Sequence, residues 1–290
     1  MEPLALASLV RLARMVPPRM IGPVSGLLGR MAAAVPGRSG NVFRANRRNV
    51  AVPQGMDIRL WRIYRNLLVS MMDFLRLDFV PDETFGKLVE VKGGENMASA
   101  MERGRGVIAV TAHFSAWELI PRAISLMGYD TAVVTRKLGS GKTTSMVDDL
   151  RSRHGIETID RGSGLHSLMG ALRRGAAVGI LIDQDTLGVE SGFVNFLGLP
   201  ARTPVGPAKI ALRFDVPVLT LHISGRDAGR YLVEIDEPLD LDDYRGKNGY
   251  LELTADLTAR IEEWIREEPE QWIWIHDRWA RRPCGAPGLR

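Results

Sequence analysis

A histidine and a glutamate, five positions apart, are the side chains best suited to do chemistry in this chain. His113 follows residues 107–112, which are small, apolar and largely β-branched and therefore predict a buried strand of a parallel sheet. Helical spacing begins at residue 115, so His113 lies between a strand and a helix, where open α/β sheets bind ligands. Glu118 can hold the imidazole by one nitrogen and leave the other free to accept a proton. The pair is a candidate general base with its carboxylate partner.

A pattern this short also arises by chance, with His113 merely ending a strand and Glu118 on a solvated helix face. The aromatic neighbours Phe114 and Trp117 favour the catalytic interpretation, because they suit an apolar ligand. Ser115 could be a nucleophile beside the histidine, but the chain has no Gly-x-Ser-x-Gly elbow. The five histidines show no metal-ligand spacing, so we expect a reaction that uses neither a metal nor a cofactor.

Arg151 and Arg153 are candidates for binding a substrate phosphate. Both precede a predicted strand, 155–159, on the presumed side of the cleft. A guanidinium binds phosphate through two parallel hydrogen bonds, so either residue could hold a phosphate group of a substrate. The alternative for each is an ordinary arginine on a helix surface.

Residues 139–144, Gly-Ser-Gly-Lys-Thr-Thr, raise the alternative of a nucleotide-binding P-loop. They follow a predicted strand and open a helix, and residues 178–183 resemble a strand that ends in a Walker-B aspartate. The P-loop pattern requires a glycine where the chain has Arg136. Without it the loop cannot wrap its amides around phosphates, and Arg136 is instead a candidate substrate-binding residue.

Two further segments are predicted to line a cleft. Asp183 begins a polar turn after the apolar strand predicted at 176–182, although such a turn is also an ordinary way to end a strand. Phe193 and Phe196 belong to an apolar segment bounded by glycines, 192–198, which we expect to form a loop that flanks a lipid chain.

Composition fits a globular chain with an unusual distribution of charge. With 290 residues, 45% of them hydrophobic, it can bury a sizeable core in one large domain or in two, and its single cysteine, Cys284, fits a reducing compartment. Residues 1–65 carry eleven arginines, no lysine and two acidic residues, a net charge of +9, whereas the rest carries 27 basic and 32 acidic residues, a net −5. The basic end predicts an anionic partner: a membrane, a nucleic acid or an acidic carrier protein.

The N-terminal residues predict binding to a membrane surface rather than a span or a secretory signal. Arginines interrupt the apolar run 4–16, and glycines and a proline loosen a second run, 20–35, so neither supplies the ~20 uncharged residues of a span. Two short amphipathic helices edged with arginine suit the bilayer interface. The alternative is that they simply pack on the domain.

The remaining chain predicts an α/β fold. Apolar spacing indicates a helix at 59–79, and Thr203-Pro204 is typical of the start of a helix, here expected to run to about residue 215. From residue 85 onward, short strands and helices alternate as in a parallel sheet with helical crossovers. We therefore expect a mostly parallel central sheet flanked by helices, with N-terminal amphipathic helices.

Five segments together resemble the bacterial lipid A biosynthesis (lauroyl/myristoyl) acyltransferase family, from roughly residue 4 to the C-terminus. They are His113-Phe-Ser-Ala-Trp-Glu118, Arg151-Ser-Arg-His-Gly155, Asp183-Gln184, Phe193-Val-Asn-Phe-Leu-Gly-Leu-Pro200 with Thr203 and Gly206, and Trp272-Ile-Trp-Ile-His-Asp-Arg-Trp279. That family shares its His-x4-Asp/Glu chemistry and general fold with glycerolipid acyltransferases. The chain departs from it at Ser115-Ala116, where members often have Gly-Asn, a difference that bears on the acceptor.

The resemblance implies transfer of a fatty acyl chain from a thioester on acyl carrier protein, or on coenzyme A, to a hydroxyl of an acylated, phosphorylated sugar lipid. It implies a protein held peripherally or monotopically at the cytoplasmic face of the inner membrane, with no nucleic-acid partner. Residues 1–56 would be the membrane-associating helices and basic connector, and 57–290 the acyltransferase domain. Alternatives are a glycerophospholipid or phosphoinositol-mannoside acyltransferase, or a membrane-binding protein without activity.

Overall fold

The computed structural model describes residues 11, 13, 15–50, 57–135, 141–226 and 229–285, without the side chains of 141–143, 163 and 164. Arg136 and most of the predicted first amphipathic segment, 4–16, lie outside these residues. No helix in this part of the chain reaches the length and hydropathy of a bilayer span.

A mostly parallel sheet organises the fold. Its strands are β1 (Val89–Lys92), β2 (Val107–Thr111), β3 (Thr131–Thr135), β4 (Glu157–Asp160), β5 (Ala177–Leu181), β8 (Val218–Gly225) and β9 (Tyr231–Ile235), whereas β6 (Ser191–Phe196) and β7 (Leu199–Pro204) form a separate antiparallel hairpin. The order in the sheet is β1-β9-β8-β2-β5-β3-β4, and all neighbours are parallel except β8 and β9. This confirms the predicted fold class.

Helices cover both faces of the sheet. They are α1 (Pro18–Ala34), α2 (Arg38–Asn49), α3 (Leu60–Leu77), α4 (Asp82–Leu88), α5 (Gly94–Met101), α6 (Ile120–Leu126), α7 (Gly141–Ser152), α8 (Gly164–Arg173), α9 (Gly206–Phe214) and α10 (Gly249–Glu267). In β2, Ile108 and Val110 face one core while Val107 and Ala109 face the other, because successive side chains of a strand point to opposite faces. β2 is therefore buried on both sides, as its apolar run predicted.

α1 both packs on the domain and exposes an apolar face. A Cβ built on Gly29 would lie 2.6 Å from the Trp61 carbonyl oxygen of α3, so this close approach requires glycine. The outward side chains of α1 include exposed apolar residues at helical spacing: Met20, Val24, Leu27, Leu28 and Met31. One face of α1 therefore packs on the domain, and binding of its exposed face to a membrane stays a prediction.

The segment 36–56, predicted to be a polar, basic connector, contains the helix α2. This corrects the prediction. Buried Asn46 donates hydrogen bonds to the carbonyl oxygens of Trp274 (2.9 Å) and His276 (2.7 Å), so distant partners fix a segment that looked like a polar linker. The domain boundary after residue 56 stays a prediction.

Residues 192–204 also differ from expectation. The predicted apolar loop is the β6–β7 hairpin, and the helix expected to start at Thr203-Pro204 begins at Gly206. Thr203 pairs with Gly192 across the hairpin, and its hydroxyl accepts a hydrogen bond from the buried guanidinium of Arg278. Strand pairing and this bond outweigh the local helix-start signal.

Candidate active site

His113 and Asp183 meet because two parallel strands run in register. β2 and β5 are neighbours, with Thr111 beside Leu181, and each polar residue follows its strand end by two positions. His113 Nδ1 lies 2.8 Å from Asp183 Oδ1, and the His113 backbone N–H donates to Asp183 Oδ2 at 3.0 Å. The pair thus lies at the carboxyl edge of the sheet, the place where α/β folds bind ligands.

Asp183 is held as a carboxylate. Its side chain is fully buried, and burial alone would raise its pKa; attraction to His113 and hydrogen bonds from His113 and Trp272 outweigh this and lower the pKa below the ordinary value. The Trp272 indole N–H donates to Asp183 Oδ2 at 2.8 Å. An ionised Asp183 can only accept, so the His113 proton sits on Nδ1 and Nε2 is left to accept a proton.

Glu118 does not occupy the position predicted for it. The partner of the His113 ring nitrogen is Asp183, whereas Glu118 binds Arg151, whose Nη2 lies 2.8 Å from each carboxylate oxygen and whose Nε lies 3.2 Å from Oε2. The prediction assumed a regular helix from residue 115. Instead Ser115 has a φ of +50° and the first turn, Trp117–Leu119, is a 3-10 helix, so the glutamate turns away from the imidazole toward Arg151.

Trp272 is the residue that sequence reasoning missed. It reaches the site because Phe114 and Trp272 form an antiparallel bridge, and the Ser115 N–H donates to the Gln271 carbonyl oxygen at 2.8 Å. The segment after α10 therefore lies against the turn that carries His113. Its cluster of tryptophans was quoted for the family resemblance, but no local pattern connected it to Asp183.

Arg151 and Arg153 have different partners. Arg151 is buried and bound to Glu118, with Asp148 at 3.7 Å, so its charge is already neutralised. The guanidinium of exposed Arg153 lies 4.6 Å from the ring centroid of Phe79. Arg136 is outside the described residues. The hypothesis that these arginines bind a phosphate stays a prediction.

The aromatic candidates divide into two groups. The Trp117 ring lies edge-on to the His113 ring at 5.1 Å, and Phe193 is exposed on β6. Phe114 and Phe196 are fully buried. Phe196 packs against Trp272, 5.4 Å between ring centroids, so its side chain belongs to the core beneath the site.

An apolar cavity of about 50 Å³, here called the sheet cavity, lies between the sheet and α6. Three small residues of β2 and β5 make room for it: Ala109, Ala177 and Gly179. Trp117, Glu118 and Arg151 also line it. One ion pair and otherwise mostly apolar walls suit a ligand with a hydrocarbon chain and few polar atoms.

Known proteins resemble this chain along most of its length. The family model described as bacterial lipid A biosynthesis acyltransferase matches residues 4–281. The lipid A biosynthesis palmitoleoyltransferase of Escherichia coli (strain K12) is 25% identical over 228 residues, which cover 78% of this chain and 72% of that protein. The lipid A biosynthesis lauroyltransferase of the same strain is 27% identical over 226 residues, covering 72% and 67%.

Two further comparisons reach other acyltransferases. The phosphatidylinositol mannoside acyltransferase of Mycobacterium tuberculosis (strain H37Rv) is 25% identical over 202 residues, covering 67% of this chain and 61% of that protein. The crystal structure of the 1-acyl-sn-glycerophosphate acyltransferase PlsC of Thermotoga maritima has a TM-score of 0.39 at 15% identity, covering 88% and 99%. Since the family model spans residues 4–281, the chain belongs to the bacterial lipid A biosynthesis acyltransferase family and is an acyltransferase.

Proposed function

We propose that the enzyme moves a fatty acyl chain from an acyl thioester to a hydroxyl of an acylated, phosphorylated sugar lipid, with His113 as the general base. The observation that carries this proposal is the bond between His113 Nδ1 and Asp183 Oδ1 at 2.8 Å, beside the sheet cavity. The donor is acyl carrier protein loaded with a fatty acid, or the corresponding coenzyme A thioester.

In this mechanism His113 Nε2 takes the proton of the acceptor hydroxyl as its oxygen attacks the thioester carbonyl carbon. The carbon–sulfur bond breaks, and the imidazolium returns the proton to the leaving thiolate. Asp183 keeps the ring in the required tautomer and stabilises the imidazolium, the role a buried aspartate has beside other catalytic histidines. No covalent acyl-enzyme is needed.

The sheet cavity, with about 50 Å³, would hold a few methylene groups of the acyl chain. Its apolar walls exclude water from the chain, and the absence of a side chain at Gly179 gives it room. In place of the predicted contact with His113, we assign Glu118 the role of holding Arg151 at the lining of this cavity. Glu118→Gln would remove the carboxylate at 2.8 Å and leave the buried guanidinium with only Asp148 at 3.7 Å, so this substitution should still impair the enzyme strongly.

A phosphoinositol mannoside is the second candidate acceptor, favoured by the similarity to the mycobacterial mannoside acyltransferase. Both acceptors are lipids with a sugar hydroxyl and a phosphate, so the same base could serve either. Mass spectrometry of the sugar lipids and phospholipids in a deletion strain, compared with the parent, distinguishes the two.

The acceptor is a membrane lipid, and α1 supports peripheral attachment at the cytoplasmic face of the inner membrane. The helix presents exposed Leu27 and Met31 next to Arg30, a combination that suits the interface of an anionic leaflet. Each cation near such a surface adds roughly 1 kcal/mol, which salt screens, while the apolar contribution resists salt.

Purified enzyme, incubated with acyl carrier protein thioester and a lipid A precursor, tests the proposal by mass spectrometry of the product. His113→Ala should lower the rate about 10²–10⁴-fold, the usual effect of losing a general base. His154→Ala is the matched control, because His154 also binds a carboxylate, Asp78, at 2.8 Å, but has no described contact with the site. Activity of His113→Ala within a few-fold of the control would refute the mechanism.

A further inference from the structure

A cleft lies between α1, α3 and the facing ends of β8 and β9, where Gly225, Arg226 and Gly229 line it. It has a volume of about 1060 Å³, and Ser115 and Gln271 line its inner end. These residues lie next to the catalytic centre in sequence and in space: Ser115 is two positions after His113, and Gln271 precedes Trp272. A ligand in this cleft would therefore lie near the site of acyl transfer.

Five arginines line the cleft, and we call it the arginine cleft: Arg19, Arg62, Arg65, Arg76 and Arg226. Glu270 neutralises Arg62 at 3.1 Å, and Asp73 neutralises Arg76 at 2.8 Å. The other three form no ion pair within the described part of the chain. Glu268 is the one acid of the described lining without an ion pair, and it is attracted to Arg226. Three arginines thus face one carboxylate, so positive charge is in excess.

Arg65 is exposed, and its side chain lies beside α1. Its side chain runs along the glycine face of α1, where a Cβ on Gly22 would lie 3.8 Å from Nη2 and one on Gly26 would lie 3.9 Å from Cδ. Its guanidinium is therefore accessible to a ligand in the cleft, and its planar shape matches the oxygens of a phosphate.

The cleft lies beside the membrane-facing surface proposed for α1. The N-terminal half of α1 contributes Arg19 and Ile21 to the lining, while Leu27 and Met31 are exposed on the same helix. With α1 in the bilayer interface, the cleft opens at the depth of lipid headgroups. We propose that the arginine cleft binds the phosphate-bearing sugar headgroup of the acceptor, chiefly through Arg65 and Arg226; this rests on the proposed function.

Steady-state kinetics with acceptor dispersed in neutral detergent tests the site. Charge-assisted hydrogen bonds of this kind change affinity about 10- to 100-fold, so Arg65→Gln with Arg226→Gln should raise the KM for a phosphorylated acceptor by at least that lower factor. The KM for a dephosphorylated acceptor and the KM for the donor should not change. Arg103→Gln, which removes an exposed arginine outside the cleft, should leave all three constants unchanged.

Three results would overturn the proposal: equal effects on both acceptors, an effect on the donor KM alone, or no effect. The second would assign the anion site to the donor's pantetheine phosphate. Thermal unfolding with glucose 1-phosphate gives a readout that does not need catalysis. Glucose 1-phosphate should stabilise the wild type and not the Arg65/Arg226 variant, and this result does not depend on whether the enzyme acylates sugar lipids. Equal stabilisation of the two proteins would also overturn the proposed phosphate site.

Discussion

Trp272→Phe isolates one hydrogen bond at the centre of the site. The substitution keeps an aromatic ring in the core but removes the indole N–H that donates to Asp183 Oδ2. Trp274→Phe is its matched control, because Trp274 is equally buried, at 1% exposure, and donates instead to the Pro269 carbonyl oxygen. Both variants lose the same atoms and one hydrogen bond, and differ in whether that bond reaches Asp183.

The expected effect follows from the three hydrogen bonds that Asp183 accepts, two from His113 and one from Trp272. A hydrogen bond to a charged group contributes about 1.5–3 kcal/mol, and one pKa unit corresponds to about 1.4 kcal/mol. Removing the Trp272 donor should therefore raise the pKa of Asp183 from its lowered value, because one of the hydrogen bonds that favour the carboxylate is lost. Because only the ionised Asp183 stabilises the imidazolium of His113, the variant should lose activity at a higher pH than wild type on acidification.

Initial rates from pH 4 to 8 and the free energy of unfolding of the three proteins test this reasoning. Trp272→Phe should shift the acidic limb of kcat without changing the KM of either substrate, because Trp272 lines neither the sheet cavity nor the arginine cleft. Trp274→Phe should be destabilised to a similar extent with an unshifted limb. Coincident acidic limbs would refute a role for the Trp272–Asp183 bond.

Three other predictions concern the stability that Asp183 contributes, the length of the acyl chain that the enzyme prefers, and the binding of α1 to membranes. Asp183 has a lowered pKa in the folded protein, so above its unfolded pKa of about 4 it stabilises the fold, and this stabilisation is lost as the pH falls. In urea titrations, the difference in unfolding free energy between wild type and Asp183→Asn should therefore shrink below that pH. Gly179→Val should shift donor preference toward shorter chains in competition assays while Gly179→Ala does not, since an added Cβ meets Val133 at an ordinary 3.5 Å. Leu27→Glu with Met31→Glu should reduce sedimentation with anionic vesicles at high salt, and unchanged binding would exclude this face of α1.

The sequence alone determined the elements that carry the site. The β-branched run before His113 has too few polar groups to be anything but a buried strand, and a polar residue at its end must leave the sheet at the carboxyl edge. The same reasoning placed Asp183 after β5. These are local properties, because period and polarity along a strand are readable without knowing its neighbours.

Only the tertiary structure decided which of these residues meet. Strand order is a non-local property: His113 and Asp183 are joined because β2 and β5 are neighbours in register, although 70 positions separate the two residues. A spacing of five residues favoured Glu118 as the partner only on the assumption of a regular helix, which the left-handed backbone of Ser115 interrupts. Trp272 arrives from the other end of the chain, through contacts that no local pattern encodes, and so the hydrogen bonds that join His113, Asp183 and Trp272 became visible only in three dimensions.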